Sequence, residues 1–289
     1  MGVKILCIAG PTASGKTSRS IEEALSRGGE IISVDSRQVY RGLDIGTEKV
    51  TLAEMRGVPH HLIDIREPYE PYSAGEFARD ATRLIGEITA RGRLPILAGG
   101  THFYFDALLH GLPSDVDSDP ALREELERLS TEELYARVGS ADARRASELD
   151  PRNRRRLIRA LEIIAALGSV PARGETGRVK LSQFLGEFAS PSFEPAWIVI
   201  DPPRDELRAR IDARLASAFE RGLIEEVRRT RERVGDARLD ELGLEYRTIG
   251  EYLRGERSED SLIPALSSKL WHYARRQKAW LRKLGHPMS

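Results

Sequence analysis

The sequence of 289 residues has little of several features that assign a chain to a particular class of protein. It has a single cysteine, Cys7, which cannot form an internal disulfide and for which we expect a buried, apolar role. No stretch approaches the ~18–20 apolar residues that a membrane span requires. The apolar run at residues 3–9 is too short for the hydrophobic segment of a secretory signal. These absences predict a globular protein of the cytoplasm with no membrane partner.

The chain also lacks a net charge, because 45 basic residues balance 45 acidic ones. This balance argues against nonspecific adhesion to nucleic acid. The charges are unevenly placed, with acidic residues concentrated at 115–133 and basic ones at 152–159, 228–233 and 275–283. Most such runs are solvated helix faces, so each needs a second reason before it indicates a binding site. His60 and His61 lack the spacing to other His or Cys residues that a metal site requires, and we interpret them as structural.

The chain is organised around GPTASGKT at residues 10–17, which fits the phosphate-loop pattern G-x-x-x-x-G-K-[ST] at every required position. A strand-like run precedes it and a helical pattern follows. The glycines let backbone N–H groups turn towards a phosphate at the positive end of that helix. The predicted phosphate-binding residues are Gly10, Pro11, Thr12, Ala13, Ser14, Gly15, Lys16 and Thr17. Lys16 would supply a point charge to the phosphate, and Thr17 a hydroxyl ligand for Mg²⁺.

Strands and helices alternate around this loop. Further strands are predicted at 30–34, 60–64, 94–98 and 196–201, and the capping box Ser73-x-x-Glu76 opens a helix that Gly92 closes. This order predicts an α/β fold, a P-loop NTPase-like parallel sheet flanked by helices. Asp35 and the string Gly99-Gly100-Thr101 follow two of the strands, at the edge where open sheets bind ligands. We therefore expect Asp35 to face the phosphate loop, the alternative being an aspartate that caps a turn.

The alternation stops at residues 112–194, which predicts a mostly helical insertion domain. Residues 1–111 and 195–289 would form the P-loop-type core with C-terminal helices. Asp119-Pro120 and Asp150-Pro151 each precede a helical pattern, and 169–192 is predicted as a loop-rich return. On the second of these helices, one basic face is predicted from positions i, i+3, i+4 and i+7, which are Arg152, Arg155, Arg156 and Arg159.

Two C-terminal helices carry further basic residues. Arg210 and Arg214 lie one turn apart and would project together, unless each is solvated or pairs with a neighbouring aspartate. In the last helix an aromatic and basic stripe consists of Trp271, Arg275, Lys278 and Arg282. That composition suits a nucleic-acid backbone with unstacked bases, although a tryptophan on a helix is more often packed.

Four further strings stand out: DSRQVYRGLDIGT at 35–47, GGT at 99–101, RRLIRALE at 155–162 and RRQKAWLR at 275–282. Together with the phosphate loop, and in this order, they resemble the tRNA dimethylallyltransferases, also called tRNA isopentenyltransferases. The loop is shared by many proteins, whereas the first and last of the four strings are much more specific.

The resemblance implies a reaction. A dimethylallyl group would pass from dimethylallyl diphosphate to the exocyclic amine (N6) of the adenosine just 3′ of the tRNA anticodon, releasing diphosphate with the help of Mg²⁺. The phosphate loop would then hold a prenyl diphosphate rather than ATP. The partner would be the anticodon stem-loop of tRNA, and we expect a monomeric enzyme.

The implied chemistry gives roles to particular residues. The adenine amine is a poor nucleophile, so it needs a strong electrophile and a proton acceptor. Lys16, the loop N–H groups and Thr17-bound Mg²⁺ would stabilise the departing diphosphate. The resemblance places a diphosphate-binding arginine at Arg214, the general base at Asp35, and Thr101 near the diphosphate and the transferred group.

The resemblance also implies a set of tRNA-binding residues, with the target base leaving the stack of the anticodon loop. They are Asp35, Ser36, Arg37, Gln38, Arg123, Arg155, Arg156, Leu157, Ile158, Arg159, Leu242, Gly243, Leu244, Glu245, Tyr246, Arg247, Arg275, Arg276, Gln277, Lys278, Trp280 and Arg282. Their combined role would be to position the tRNA through its phosphates, while the pocket reads the base.

Two strings depart from the common family pattern. Glu48-Lys49-Val50 stands where a small residue followed by Lys-Pro is usual, and residues 243–247 differ from the commoner glycine-tyrosine form. From the sequence we expect neither departure to touch the diphosphate site.

Three other functions remain open at this point. A small-molecule kinase would use the same loop, Mg²⁺ and aspartate for phosphoryl transfer. An adenylate isopentenyltransferase would perform the same chemistry on a free nucleotide, and an NTP-driven RNA-binding switch would perform none. The basic helix faces and the long insertion favour a macromolecular acceptor over the small-molecule acceptors of the first two alternatives.

Overall fold

The computed structural model describes residues 2–112, 116, 119–171 and 192–283. The chain forms two compact units, one from Met1–Leu109 with Pro191–Ser289 and one from His110–Ser190. Most of the predicted loop-rich return at 169–192 lies outside the described residues. The predicted insertion boundaries, 112 and 194, lie within a few residues of the breaks between the two units.

The first unit contains a five-stranded, wholly parallel sheet in the order β3-β2-β4-β1-β5. The strands are β1 (Val3–Ala9), β2 (Gly29–Val34), β3 (His60–His61), β4 (Leu94–Gly99) and β5 (Phe193–Val199). In chain order the helices of both units are α1 (Lys16–Arg27), α2 (Leu52–Met55), α3 (Ala74–Ala90), α4 (His102–His110), α5 (Pro120–Glu127), α6 (Thr131–Ala141), α7 (Ala143–Glu148), α8 (Arg154–Leu167), α9 (Arg204–Glu220), α10 (Leu223–Leu239), α11 (Leu244–Leu253) and α12 (Leu262–Lys283). The predicted α/β architecture is confirmed.

The central strands are mostly apolar because both faces of the sheet are covered. Alternate residues of β1 point to opposite sides: Ile5 and Cys7 join a core with α3 and α4, whereas Leu6 and Ile8 join a core with α1. Cys7 is fully buried, and burial raises the pKa of its thiol well above the ordinary range. Its predicted apolar role is confirmed.

A second large core of the first unit holds the C-terminal helices together. Leu207 and Ile211 of α9 pack in it with Leu266 and Leu270 of α12, and the fully buried Tyr246 of α11 completes it. The helices are amphipathic and bury one stripe, as their sequence periodicity predicts. This core brings α9, α11 and α12 close to the phosphate loop.

The sequence-based boundaries are right for several elements. The predicted capping box is formed, since Glu76 N donates to Ser73 Oγ (3.1 Å) and Ser73 N donates to Glu76 Oε2 (2.8 Å). Asp119 caps α5 by accepting from the N–H groups of Ala121 (2.9 Å) and Leu122 (3.2 Å). These motifs depend on residues at most three apart, which is why the sequence suffices to place them.

Two predicted elements differ from the structure. The strand predicted at 60–64 ends at His61, because Leu62 (φ 62°) and Asp64 (φ 55°) adopt left-handed backbone conformations that interrupt pairing. The helix predicted after Asp150-Pro151 begins only at Arg154, since Asn153 caps it by accepting from Arg156 N. Arg152 therefore lies before the helix and is not part of its basic face.

The described part of the second unit is mostly helical. Its core gathers apolar residues of α5, α6, α7 and α8 and includes the fully buried Leu134, Val138 and Leu157. No helix in the described part of the whole chain is both long and apolar enough to cross a lipid bilayer.

Candidate active site

The phosphate loop joins β1 to α1 and has the backbone that its glycines predict. Ala13 (φ 60°) and Gly15 (φ 92°) are left-handed, and Ser14 N donates to Pro11 O (3.3 Å). A Cβ atom on Gly10 would lie 2.6 Å from both Ser14 Oγ and Ile200 O, so only glycine fits there. The loop thus presents a curved backbone at the N-terminal end of α1, an arrangement suited to an anion.

Lys16 folds back over this loop and donates to Pro11 O at 2.5 Å. Burial lowers the pKa of Lys16 to about 8; nearby Asp35 opposes that change, and Arg214 adds to it. The lysine is therefore a poorly solvated cation held between an acid and a second cation. An anion bound here would replace the solvation that the ammonium group has lost.

Asp35 follows β2, and its Oδ1 atom accepts from the backbone N–H groups of Arg37 (2.8 Å) and Gln38 (3.3 Å). The turn-capping alternative and the active-site hypothesis thus describe the same residue, because the carboxylate both caps its turn and lies close enough to Lys16 to influence its pKa. Thr101 Oγ1 accepts from Ser36 N (3.1 Å), so the glycine-rich end of β4 holds the turn that carries Asp35.

Two arginines of α9 reach the phosphate loop from a position about 200 residues away in sequence. Arg210 donates to Ser14 O (3.2 Å), and Arg214 donates to Thr12 Oγ1. They project together as predicted, although Arg210 pairs with Glu206 rather than with a neighbouring aspartate.

The two departures from the family pattern meet at Arg214, contrary to the expectation from sequence. Its Nε lies 3.8 Å from Glu48 Oε1, and its Nη2 lies 4.0 Å from Glu245 Oε1. Both carboxylates reach the arginine only because the fold brings a loop after β2 and the first turn of α11 to the same place. Sequence separation hides this arrangement, since the three residues lie in segments that are far apart along the chain.

Sequence reasoning missed Glu226, which organises the DSRQVYRGLDIGT segment. This buried carboxylate of α10 accepts from the backbone N–H groups of Asp44 (2.9 Å), Ile45 (2.7 Å) and Gly46 (2.9 Å). It also accepts from the hydroxyl of Tyr246 (2.7 Å). The sequence carries no signal for this role because the partners are backbone groups about 180 residues distant.

Gln277 of α12 joins the two glycine-rich strand ends. Its Oε1 accepts from Thr12 N (2.8 Å), and its Nε2 donates to Gly100 O (2.9 Å). Trp280, one turn later, stacks on His102 with ring centroids 4.2 Å apart and donates to Asp106 Oδ2 (3.2 Å). Burial, with a smaller contribution from Lys16, lowers the pKa of His102 to about 4, so the ring is neutral near pH 7.

The predicted tRNA-binding residues of the first unit divide by exposure. Leu242 and Tyr246 are buried in the helical core, and Gln277 is buried against the loop, so these side chains support the site rather than present a surface. Lys278 is mostly buried and pairs with Asp201 (2.7 Å). Arg275, Arg276 and Arg282 of α12 are exposed.

The stripe predicted along α12 is only partly a free surface. Trp271 lies under two arginines of α9, with Arg204 at 5.7 Å and Arg208 at 5.8 Å from the ring centroid. This tryptophan is therefore occupied by cation–π contacts within the protein. The remaining predicted residues of this unit, Ser36, Arg37, Gln38, Gly243, Leu244 and Arg247, lie in the turn after β2 and at the start of α11.

The basic face of α8 differs in detail from its prediction. Arg155 and Arg156 are exposed, whereas Leu157 and Ile158 are buried in the helical core. Arg159 donates to Val116 O (2.7 Å) and pairs with the buried Glu162 (3.3 Å), which also pairs with Arg123 (3.5 Å). The buried carboxylate holds these two predicted tRNA contacts in place.

The donor set of the first unit fits a magnesium ion that arrives with a phosphate. The described residues contain no group of three or more His, Cys, Asp or Glu side chains that could hold a metal ion by itself. Mg²⁺ is commonly bound by few protein ligands together with substrate phosphates and water. Thr17, exposed at the start of α1, offers one hydroxyl ligand, and the buried Ser14 Oγ makes no hydrogen bond within the protein.

The sequence matches a protein-family model and individual known proteins over most of its length. The IPP transferase family model matches residues 38–284. The tRNA dimethylallyltransferase of Anaeromyxobacter dehalogenans is 42% identical over 285 residues, covering 97% of this chain and 92% of that protein. The tRNA dimethylallyltransferase of Thermomicrobium roseum is 44% identical over 287 residues, covering 97% and 84%.

Two solved structures resemble this one. The full-length tRNA isopentenylpyrophosphate transferase of Bacillus halodurans superposes with a TM-score of 0.70 at 38% identity, covering 97% of this chain and 87% of that one. A eukaryotic dimethylallyltransferase acting on tRNA superposes with a TM-score of 0.78 at 27% identity, covering 96% and 69%. The similarity thus extends over both the sequence and the fold.

Proposed function

Because the chain belongs to the IPP transferase family, we propose that it transfers a dimethylallyl group from dimethylallyl diphosphate to N6 of the adenosine 3′-adjacent to the tRNA anticodon. The observation that supports this most directly is the meeting of Lys16, Asp35 and Arg214 at the phosphate loop. One site thus holds both the cations that would stabilise a leaving anion and the carboxylate that would accept a proton. The enzyme acts on tRNA in the cytoplasm, as a monomer.

In the proposed reaction the N6 lone pair attacks C1 of the dimethylallyl group while the C1–O bond to diphosphate breaks. Negative charge grows on the departing diphosphate, and Lys16, Arg214 and the loop N–H groups stabilise it because they are already in place. Mg²⁺, held by Thr17 and the phosphates, would supply further positive charge at the same oxygens.

Asp35 takes the proton that the amine must lose. Its Oδ1 is engaged by two backbone N–H groups, so the carboxylate has a fixed orientation before substrate binds. Thr101 accepts from Ser36 N and thereby holds the same turn, so its hydroxyl would lie beside the expected position of the diphosphate and the transferred group. Correctly oriented general bases accelerate reactions by about 10²–10⁴.

A single assay tests the proposal against its rivals. The protein is incubated with labelled dimethylallyl diphosphate, Mg²⁺ and unmodified tRNA, and the label is followed by gel and by nucleoside analysis. We expect label on the adenosine next to the anticodon. Label only in added free adenine nucleotide would identify an adenylate isopentenyltransferase instead. ADP formed from ATP without prenylation would indicate a kinase or a nucleotide-driven switch.

A further inference from the structure

Arg214 is held between the phosphate loop and two carboxylates. Its Nη1 donates to Thr12 Oγ1, while Nε and Nη2 face Glu48 and Glu245 at 3.8 and 4.0 Å. These two distances exceed a hydrogen bond, so the interaction is one between charges. Two carboxylates therefore face the guanidinium group before any ligand binds, although its position beside the phosphate loop marks it as an anion-binding group.

The two carboxylates are not ordinary surface acids. Only 14% of the Glu245 side chain and 32% of the Glu48 side chain are exposed, against 22% for Arg214. Charges that are shielded from water interact more strongly than those on an open surface. Burial raises the pKa of Glu245, and Arg214 and Arg37 oppose this change, so the carboxyl group is poorly solvated and depends on its cationic neighbours.

Glu48 is fixed from a second side. It forms an ion pair with Arg221, which follows α9, and its own backbone is left-handed (φ 51°). Its carbonyl oxygen accepts from Gln38 Nε2 (3.3 Å), which ties this loop to the turn that carries Asp35. The position of Glu48 beside Arg214 is therefore set by the loop and not by a flexible side chain alone.

We propose that Glu48 and Glu245 lower the affinity of the site for diphosphate by offsetting the charge of Arg214, an inference that rests on the proposed function. A diphosphate on the phosphate loop must compete with both carboxylates for the guanidinium group of Arg214. The same contacts hold the substrate and the released diphosphate. Weakening them limits product retention, which can otherwise limit turnover.

The test measures binding of inorganic diphosphate with Mg²⁺ by calorimetry, near pH 7.5. Glu245→Gln preserves the side-chain volume and removes the charge, and it should bind diphosphate about tenfold more tightly. Glu48→Gln should tighten binding by about threefold, because this more exposed carboxylate is shared with Arg221. Glu225→Gln, an equal charge change at an exposed position of α10, is the matched control and should leave the affinity unchanged.

Arg214 provides the decisive comparison. In an Arg214→Gln background, neutralising Glu245 or Glu48 should change diphosphate affinity by less than about twofold, since the effect is exerted through the arginine. The steady-state KM for dimethylallyl diphosphate should fall in the single variants of both glutamates. A purely structural role would not produce tighter binding or its dependence on Arg214.

Three results would overturn the proposal: unchanged or weaker binding in both glutamine variants, the same tightening without Arg214, or no diphosphate binding by any variant. The function of the enzyme is judged separately, by label transfer to tRNA. Transfer by the wild-type protein with no tightening in the variants would refute the role of the carboxylates and leave the proposed function standing. Tighter diphosphate binding in the variants, without label transfer by the wild-type protein, would support the role of the carboxylates and refute the proposed function.

Discussion

Lys16 is the residue whose chemistry depends most on its surroundings. It is a cation placed where solvation is poor, and Asp35 only partly offsets the burial that brings its pKa to about 8. A lysine in water has a pKa of about 10.4, so the folded protein favours the neutral form more than the unfolded chain does. An anion on the phosphate loop binds the charged form, so above about pH 8 its binding is coupled to the uptake of a proton by Lys16.

We predict that diphosphate affinity depends on pH through Lys16. Below about pH 8 the free lysine is charged and binding is strong. Above it, each further pH unit should weaken binding by up to about tenfold, because the free enzyme must first gain a proton. Calorimetry from pH 6.5 to 9.5 measures this, with Lys16→Arg as the control, since arginine stays charged throughout. Parallel pH profiles for the two proteins would contradict the prediction.

Asp35 combines a structural and a chemical role, and one substitution separates them. An asparagine side chain would retain the oxygen that accepts from Arg37 N and Gln38 N, so Asp35→Asn should preserve the turn. It cannot take a proton, and we expect kcat to fall by about 10²–10⁴ while tRNA affinity stays within about twofold. Single-turnover transfer and tRNA binding are the measurements, with the exposed Asp205→Asn as control. Turnover near wild type would exclude Asp35 as the base.

Helix α10 supports the site without contributing a group to it. Glu226 takes up three consecutive backbone N–H groups that no strand or helix satisfies. Buried backbone donors need hydrogen-bond partners. In the loop at 44–46 this carboxylate accepts the hydrogen bonds that a carbonyl of a strand or helix would otherwise accept. The same carboxylate holds Tyr246, so α10, α11 and the loop are fixed relative to one another.

We predict that Glu226→Gln destabilises the first unit. A glutamine has one acceptor oxygen and places an amide donor against backbone N–H groups, leaving at least one of them unpaired. The cost of a buried unpaired donor is about 1–3 kcal/mol in the free energy of unfolding. Urea unfolding followed by circular dichroism measures the change, and Glu225→Gln, the adjacent exposed residue, should change it by less than about 0.5 kcal/mol. Equal stability of the two variants would show that the loop does not depend on Glu226.

At the scale of the whole molecule, positive charge that could meet tRNA is present in both compact units. In the first unit Arg275, Arg276 and Arg282 of α12 are exposed, and in the second Arg155 and Arg156 are exposed at the start of α8. The net charge of the chain is zero, so binding of a polyanion depends on such local groups.

The double substitution Arg155→Gln with Arg156→Gln tests the second unit. Each arginine that neutralises a phosphate releases about 0.7–0.9 of a counterion, so the slope of log affinity against log salt should become shallower by about 1–2. Fluorescence titrations of tRNA between about 50 and 200 mM salt measure the slope. Arg128→Gln, an exposed arginine paired with Glu124 after α5, should leave it unchanged. An unaltered slope in the double variant would show that this face of α8 is a solvated surface that does not contact tRNA phosphates.

Local patterns in the sequence were enough to predict the presence of the strands, the phosphate loop, the capping box at Ser73 and the α/β class. Each of these depends on residues a few positions apart, or on a periodicity that one segment displays by itself. The family resemblance added roles for Asp35 and Thr101, which fall within short recognisable strings, and for Arg214, which matches an arginine of the helix after the insertion. The start of α8 was misplaced only because a capping asparagine competed with a nearby aspartate and proline.

The tertiary structure alone decided which of these groups meet. Glu226 reaches backbone amides, Gln277 joins two strand ends, and Glu48 and Glu245 face Arg214, all across large separations in sequence. Burial, which depends on the whole packed chain, sets the pKa of Lys16 and withdraws Leu157, Leu242 and Tyr246 from the surface. Neither a contact between distant segments nor the loss of water around a charge has a local signature. Both arise only when the chain has folded.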